Sequence, residues 1–179
     1  MNLNMTHELF PTCHLNTPCA VRNTPPNLYP QEIDWSCAFA CLRSITSGII
    51  ALPADSQIIT GLRLLPGPVY SDTIKAAGLL DRPELNARYG CDEAIDVQAL
   101  YDMLRDGWRL MVNWMYSYDH WTVLTEYIPE TSDPDHHMMT HWDPYCGELF
   151  RIRQGHFSAM WLSGGNETHQ KDFIAVRQK

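Results

Sequence analysis

The chain has no long apolar run. Nothing in it approaches the ~18 consecutive residues that a bilayer-spanning helix needs, so membrane insertion is not expected. Positive charge is also scarce: 13 Lys and Arg face 21 Asp and Glu, for a formal net charge of −8. That balance disfavours nucleic acid and anionic membrane surfaces as partners. No phosphate-cradling glycine loop, dinucleotide fingerprint, internal repeat or low-complexity tract is visible. The first residues, Met-Asn-Leu-Asn-Met-Thr-His-Glu, lack the basic and apolar regions of a secretory signal. Six cysteines (Cys13, Cys19, Cys37, Cys41, Cys91, Cys146) are irregularly spaced in a chain long enough to do without staples. Reduced thiols and a cytoplasmic location are the resulting expectation, with a Cys13–Cys19 bridge left open for another compartment.

What is present suits one globular domain. A chain of 179 residues, 45% hydrophobic and 19% charged, can bury a genuine core. Residues 1–30 are rich in Asn, Thr and Pro and show neither helical nor strand period, so they read as an extended arm beside a domain spanning 31–179. From Ser36, a candidate N-cap, the stretch beginning Cys37-Ala-Phe-Ala-Cys41 reads as a helix ending near Gly48. Its apolar stripe at Cys37, Ala40, Cys41 and Ile45 faces a core. Short helices are expected over 55–62 and 72–80, parted by Pro66-Gly67-Pro68. A clearer helix runs from Asp96 to Gly107, which supplies a left-handed cap. Strands follow over 108–116, 120–128, 138–142 and 173–177, with a turn at Pro129–Asp135 and a short helix at 157–161. Helices first and mostly antiparallel strands later make an α+β domain.

The chemistry-bearing pattern begins at Cys37. A thiol opening a helix, followed along the chain by His120 and Asp143, is the order of a papain-like cysteine nucleophile. The thiolate is the reactive form, and a helix N-terminus plus an imidazolium brings a cysteine pKa from ~8.5 into the ~3.5–7.5 range. Cysteine is more often a buried, inert small hydrophobe, and Cys41, one helical turn on, is the rival sulfur. His120 opens a strand of apolar alternation, which can hold an imidazole against Cys37 as general base. Asp119 is expected to point the other way and stay solvated. The run His136-His137-Met-Met-Thr-His141 invites a zinc reading. Histidines alternating along a strand diverge onto opposite faces, so no metal or other cofactor is expected. Trp35 and Trp121 adjoin Cys37 and His120 and are candidate walls of a substrate groove.

These motifs in this order resemble the bacteriocin-processing, or double-glycine leader, peptidase family of the papain-like fold. The resemblance runs over about residues 30–178. It takes in Gln31 with five residues before Cys37, the small residues Ala38, Ala40 and Cys41 before Leu42, and the Leu100–Val112 helix–strand junction. It continues through His120-Trp-Thr-Val-Leu, Asp143-Pro-Tyr-Cys-Gly147, and the Phe157 and Trp161 pair. Ser36 and Ala38 depart from the family's acidic residue before Cys and glycine after it. The resemblance implies a central helix carrying Cys37 packed on a mostly antiparallel sheet. It implies that Asp143 orients His120, and that the Gln31 amide joins the Cys37 N–H in steadying an oxyanion. It also implies a peptide or protein substrate cleaved after small residues such as Gly. Acyl or peptidyl transfer on the same triad, or a non-catalytic binding protein on a degenerate scaffold, are the alternatives. The sequence leaves the oligomeric state open.

Overall fold

The computed structural model describes residues 19–90, 95–115, 119–130, 132–162 and 170–179. Strands β1 (Val21–Arg22), β2 (Leu85–Gly90), β3 (Arg109–Met115), β4 (Asp119–Ile128), β5 (Met138–Asp143), β6 (Glu148–Arg153) and β7 (Phe173–Gln178) form one sheet. Its order is β2-β7-β3-β4-β5-β6, every pairing among the described residues is antiparallel, and β1 adds to β4. Helices α1 (Cys37–Thr46), α2 (Asp55–Leu62), α3 (Ser71–Ala76), α4 (Val97–Arg105) and α5 (Gln154–Leu162) complete an α+β architecture.

The two-residue period of a strand sorts the core onto both faces of the sheet. On β3, Met111 packs with α1 residues Phe39, Leu42 and Ile45, while Leu110, Val112 and Trp114 pack with Leu100 and Leu104 of α4 and Phe157 of α5. Strands β3, β4 and β7 are therefore covered on both sides, which explains their long apolar runs. Asp96 caps α4 by accepting the Ala99 N–H at 2.9 Å, and Gly107 follows with φ +82°. The Gly107 cap is the one the sequence implied, and the Asp96 cap adds to it.

Three strands were not expected. β1 lies inside the segment read as an arm without strand period: Val21 and Arg22 pair with Tyr127 and Glu126 of β4. Two backbone pairs suffice there because Arg22 also bonds the Glu126 carboxylate, at 2.6 Å, and Asn23 reaches the Trp108 carbonyl at 2.8 Å. β2 hides in Leu85-Asn-Ala-Arg-Tyr-Gly, where Gly90 lets the Phe173 ring lie within 2.1 Å of where a Cβ would sit. β6 is an edge strand whose solvent side carries Arg151 and Arg153, charges that block edge-to-edge pairing.

Cys19 is disulfide-bonded, which overturns the expectation of reduced thiols at that residue. Bridging needs Cα atoms within ~7 Å, a condition set by tertiary contacts that cysteine spacing does not show. Cys13, the partner considered from sequence, lies outside the described residues. Cys37, Cys41 and Cys146 are free. Among the described residues no helix is long and apolar enough to cross a membrane.

Candidate active site

Cys37 is the first residue of α1, so its backbone N–H belongs to the helix's unpaired amino-terminal donors. The carboxyl-terminal half of the helix is held by two sets of contacts. Ser44 and Ser47 accept the N–H groups of Tyr29 and Asn27 at 2.9 and 3.2 Å, which fastens the extended segment 27–29 along α1. At its carboxyl end, the Arg109 guanidinium binds the carbonyls of Ile45 and Ser47, where cations suit the helix dipole.

The loop before Cys37 rests on a buried carboxylate that sequence reading passed over. Asp55, with no exposed surface, accepts the Ser36 hydroxyl at 2.8 Å, the Glu32 N–H at 3.1 Å and the Arg43 guanidinium at 2.9 Å. Arg43 also pairs with Glu32 at 2.8 Å and lies over the Tyr29 ring. One anion thus fixes the loop, the start of α1 and the start of α2 together. The available signal was weak: an acid at a helix start normally faces water.

His120 is the second residue of β4 and Asp143 the last of β5. Leu124 pairs with His141, and His120 and Asp143 share the parity of those two residues, so both leave the sheet on the same face. His120 Nε2 lies 2.8 Å from Asp143 Oδ1. Cys37 lies close enough to His120 to raise its pKa, and with Nε2 occupied by the carboxylate Nδ1 is the ring atom left for sulfur. The structure therefore brings Cys37, His120 and Asp143 into one connected set. Burial works against a charged His120, but hydrogen bonds to Asp143 and Cys37, and the charges of both, raise it to about 9. This raised value lies above the unfolded ~6.5, so its stabilisation is complete below ~6.5 and is lost as pH rises through about 9.

Asp143-Pro144 is a turn opener as well as a site acid. Asp143 pairs with Glu148, and the four residues between them close the β5–β6 hairpin with Gly147 at φ +70°. Asp143 Oδ1 accepts the Tyr145 N–H at 2.8 Å, an Asx turn that fixes the carboxylate facing His120. Burial raises the Asp143 pKa, yet the His120 bond and charge and the N–H groups of Tyr145 and Cys146 bring it below the ordinary value.

Gln31 sits beside this hairpin, its N–H donating to the Pro144 carbonyl at 2.9 Å. Its side-chain amide donates to the Ile33 carbonyl at 3.0 Å, and Oε1 is buried without a partner. Cys41 is fully buried, with its thiol donating to the Trp121 carbonyl at 3.3 Å. Burial pushes its pKa far up, which disfavours a thiolate there. Asp119 departs from expectation: it is half-buried, accepts the Tyr70 hydroxyl at 2.8 Å and lines the same cleft as Cys37. The parity of β4 puts it with Trp121 and Val123 on the α1 face, where a cleft replaces open solvent.

That cleft, of about 290 Å³, has Trp35 and Trp121 in its walls beside Cys37. A second, of about 420 Å³, is lined by His120, Asp143, Trp114 and Phe150. The histidine-rich stretch disperses. His137 Nδ1 meets the Tyr127 hydroxyl at 2.6 Å, His141 Nδ1 meets Thr122 Oγ1 at 3.0 Å, and His136 lies 3.5 Å from Asp133. No group of three metal-binding side chains occurs among the described residues. No protein-family model matches the chain, and no curated protein matches it.

Proposed function

We propose that the chain is a papain-like cysteine peptidase, similar to the double-glycine leader peptidases. The observation that carries this reading is the imidazole of His120, bonded to Asp143 through Nε2 at 2.8 Å and close enough to Cys37 for the two to interact. In the mechanism, the Cys37 thiol proton resides on His120, and sulfur attacks the scissile carbonyl carbon to give a tetrahedral oxyanion. The unpaired Cys37 N–H and the free amide hydrogen of Gln31 stabilise that oxygen. His120 then gives its proton to the leaving amine as the C–N bond breaks, leaving a thioester. Water, deprotonated by His120, attacks the thioester, and the acid product leaves as the thiol regains its proton. Asp143 keeps the imidazole in the tautomer and orientation these transfers require. One cleft is lined by Cys37 and another by His120 and Asp143, so both sides of the reacting bond have a surface on which a peptide can lie.

Peptides with small residues before that bond are the first substrates to try. A bonded Cys19 fits oxidising surroundings better than a reducing cytoplasm. The test is alkylation by iodoacetamide at pH near 6, read residue by residue by mass spectrometry. Cys37 is expected to label at least about tenfold faster than the more exposed Cys146, because only a thiol paired with an imidazolium reacts well there. Equal rates would rule out an activated thiol.

A further inference from the structure

The Cys37 cleft holds more hydrogen-bond acceptors than the reaction uses. Three polar side chains line it besides Cys37: Asp34, Asp119 and Asn113. Among the described residues, neither lysine, arginine nor histidine lines it. Asn113 is 2% exposed, and its side-chain oxygen is buried without a hydrogen-bond partner among the described residues. A buried acceptor left unpaired is destabilising, so such a group in a cleft wall points to a donor that arrives with a ligand. Register explains the grouping. Asn113 pairs with Trp121 across β3 and β4, and Asp119 lies two residues from Trp121, so all three leave the sheet on one face. The Tyr70 hydroxyl bonded to Asp119 leaves the carboxylate's charge in place.

Two carboxylates, an amide oxygen and the indoles of Trp35 and Trp121 share a cleft of about 290 Å³, room for a single long side chain. Carboxylates attract a cation and donors satisfy the amide oxygen, while tryptophan faces add cation–π attraction and cover an aliphatic stem. We propose that this cleft binds a lysine or arginine side chain of the substrate, placed next to the bond that Cys37 attacks. The specificity residues are Asp34, Asp119 and Asn113, and the choice of scissile bond rests on the peptidase reading above.

The test has one arm that needs no turnover. Wild-type protein is treated with a methanethiosulfonate carrying a trimethylammonium group, and separately with its sulfonate counterpart. Modification of Cys37 is timed by mass spectrometry, with each rate divided by that for free glutathione. The cationic reagent is expected to react at least about tenfold faster, matching one charge-assisted contact. In the isosteric Asp34→Asn/Asp119→Asn variant that ratio falls to one or below, while an unchanged melting temperature shows the fold is intact. The imidazolium of His120 alone would favour the sulfonate, so equal rates or a faster sulfonate overturn the site. The second arm compares kcat/KM for peptides bearing Lys, norleucine or Glu beside the cleaved bond. A tenfold preference for Lys, reduced in Asn113→Leu, supports the assignment, and indifference overturns it. Cationic selectivity at Cys37 without cleavage of any peptide supports the site and rejects the peptidase reading.

Discussion

Cys37→Ala abolishes turnover, by about 10⁴-fold or more in kcat on any peptide the wild type cleaves. Removing the nucleophile from a triad that acts as a unit leaves only binding and oxyanion stabilisation. The fold should be unaffected, because Cys37 is half-buried at the first position of α1 and its neighbours Ala38, Phe39 and Ala40 carry the packing. Cys41→Ala has the opposite profile. The Cys41 thiol is enclosed and bonded to the Trp121 carbonyl, so its loss costs some stability and leaves most activity. Steady-state kinetics and thermal melts on both variants separate the two sulfurs. Retained turnover in Cys37→Ala with lost turnover in Cys41→Ala would assign the chemistry to the wrong residue.

Asp55→Ala should be the most destabilising single substitution near the site. It removes the acceptor of three donors at once and leaves the Ser36 hydroxyl and Glu32 N–H without it. Arg43 keeps only Glu32 as its ion pair. Breaking a buried pair from one side costs about 3–5 kcal/mol, which in a chain of this size lowers Tm by roughly 10 °C. The same loop carries Gln31 and leads into Cys37, so activity should fall even in the folded fraction. Asp55→Asn, which keeps the shape and part of the bonding, should lose less. Denaturant unfolding of the three proteins checks this, and a loss under about 1 kcal/mol for the alanine variant would show that the network is not a support.

The sequence and the structure agree where local signals were strong. Helix α4 was legible because Asp96 and Gly107 mark its ends, and β4 because β-branched and aromatic residues run through it. The missed strands share a different cause. β1 exists through Arg22 reaching Glu126 of β4 and Asn23 reaching Trp108 just before β3, partners 104 and 85 residues away. β2 depends on Gly90 admitting Phe173, a contact invisible along the chain. β6 does alternate, with Phe150 and Ile152 between charged residues, and that period was readable from Phe150 to Arg153. At the site, Cys37, His120 and Asp143 were legible as an ordered set, although their convergence is a property of the sheet register. Asp55 was not, since nothing local distinguishes a buried acid from a surface one. Asp119 was misjudged because strand parity tells which face a side chain takes, not whether that face is covered.

The central claim is that His120 is an imidazolium held between sulfur and carboxylate, and proton titration of its ring by NMR tests it most directly. With the imidazole carbons labelled and the resonance assigned by the His120→Gln variant, the account predicts a midpoint near 9 in the wild type. Removing either partner, in Cys37→Ala or Asp143→Asn, should bring that midpoint down. A wild-type midpoint at or below the ordinary ~6.5, unmoved by either substitution, would contradict the account.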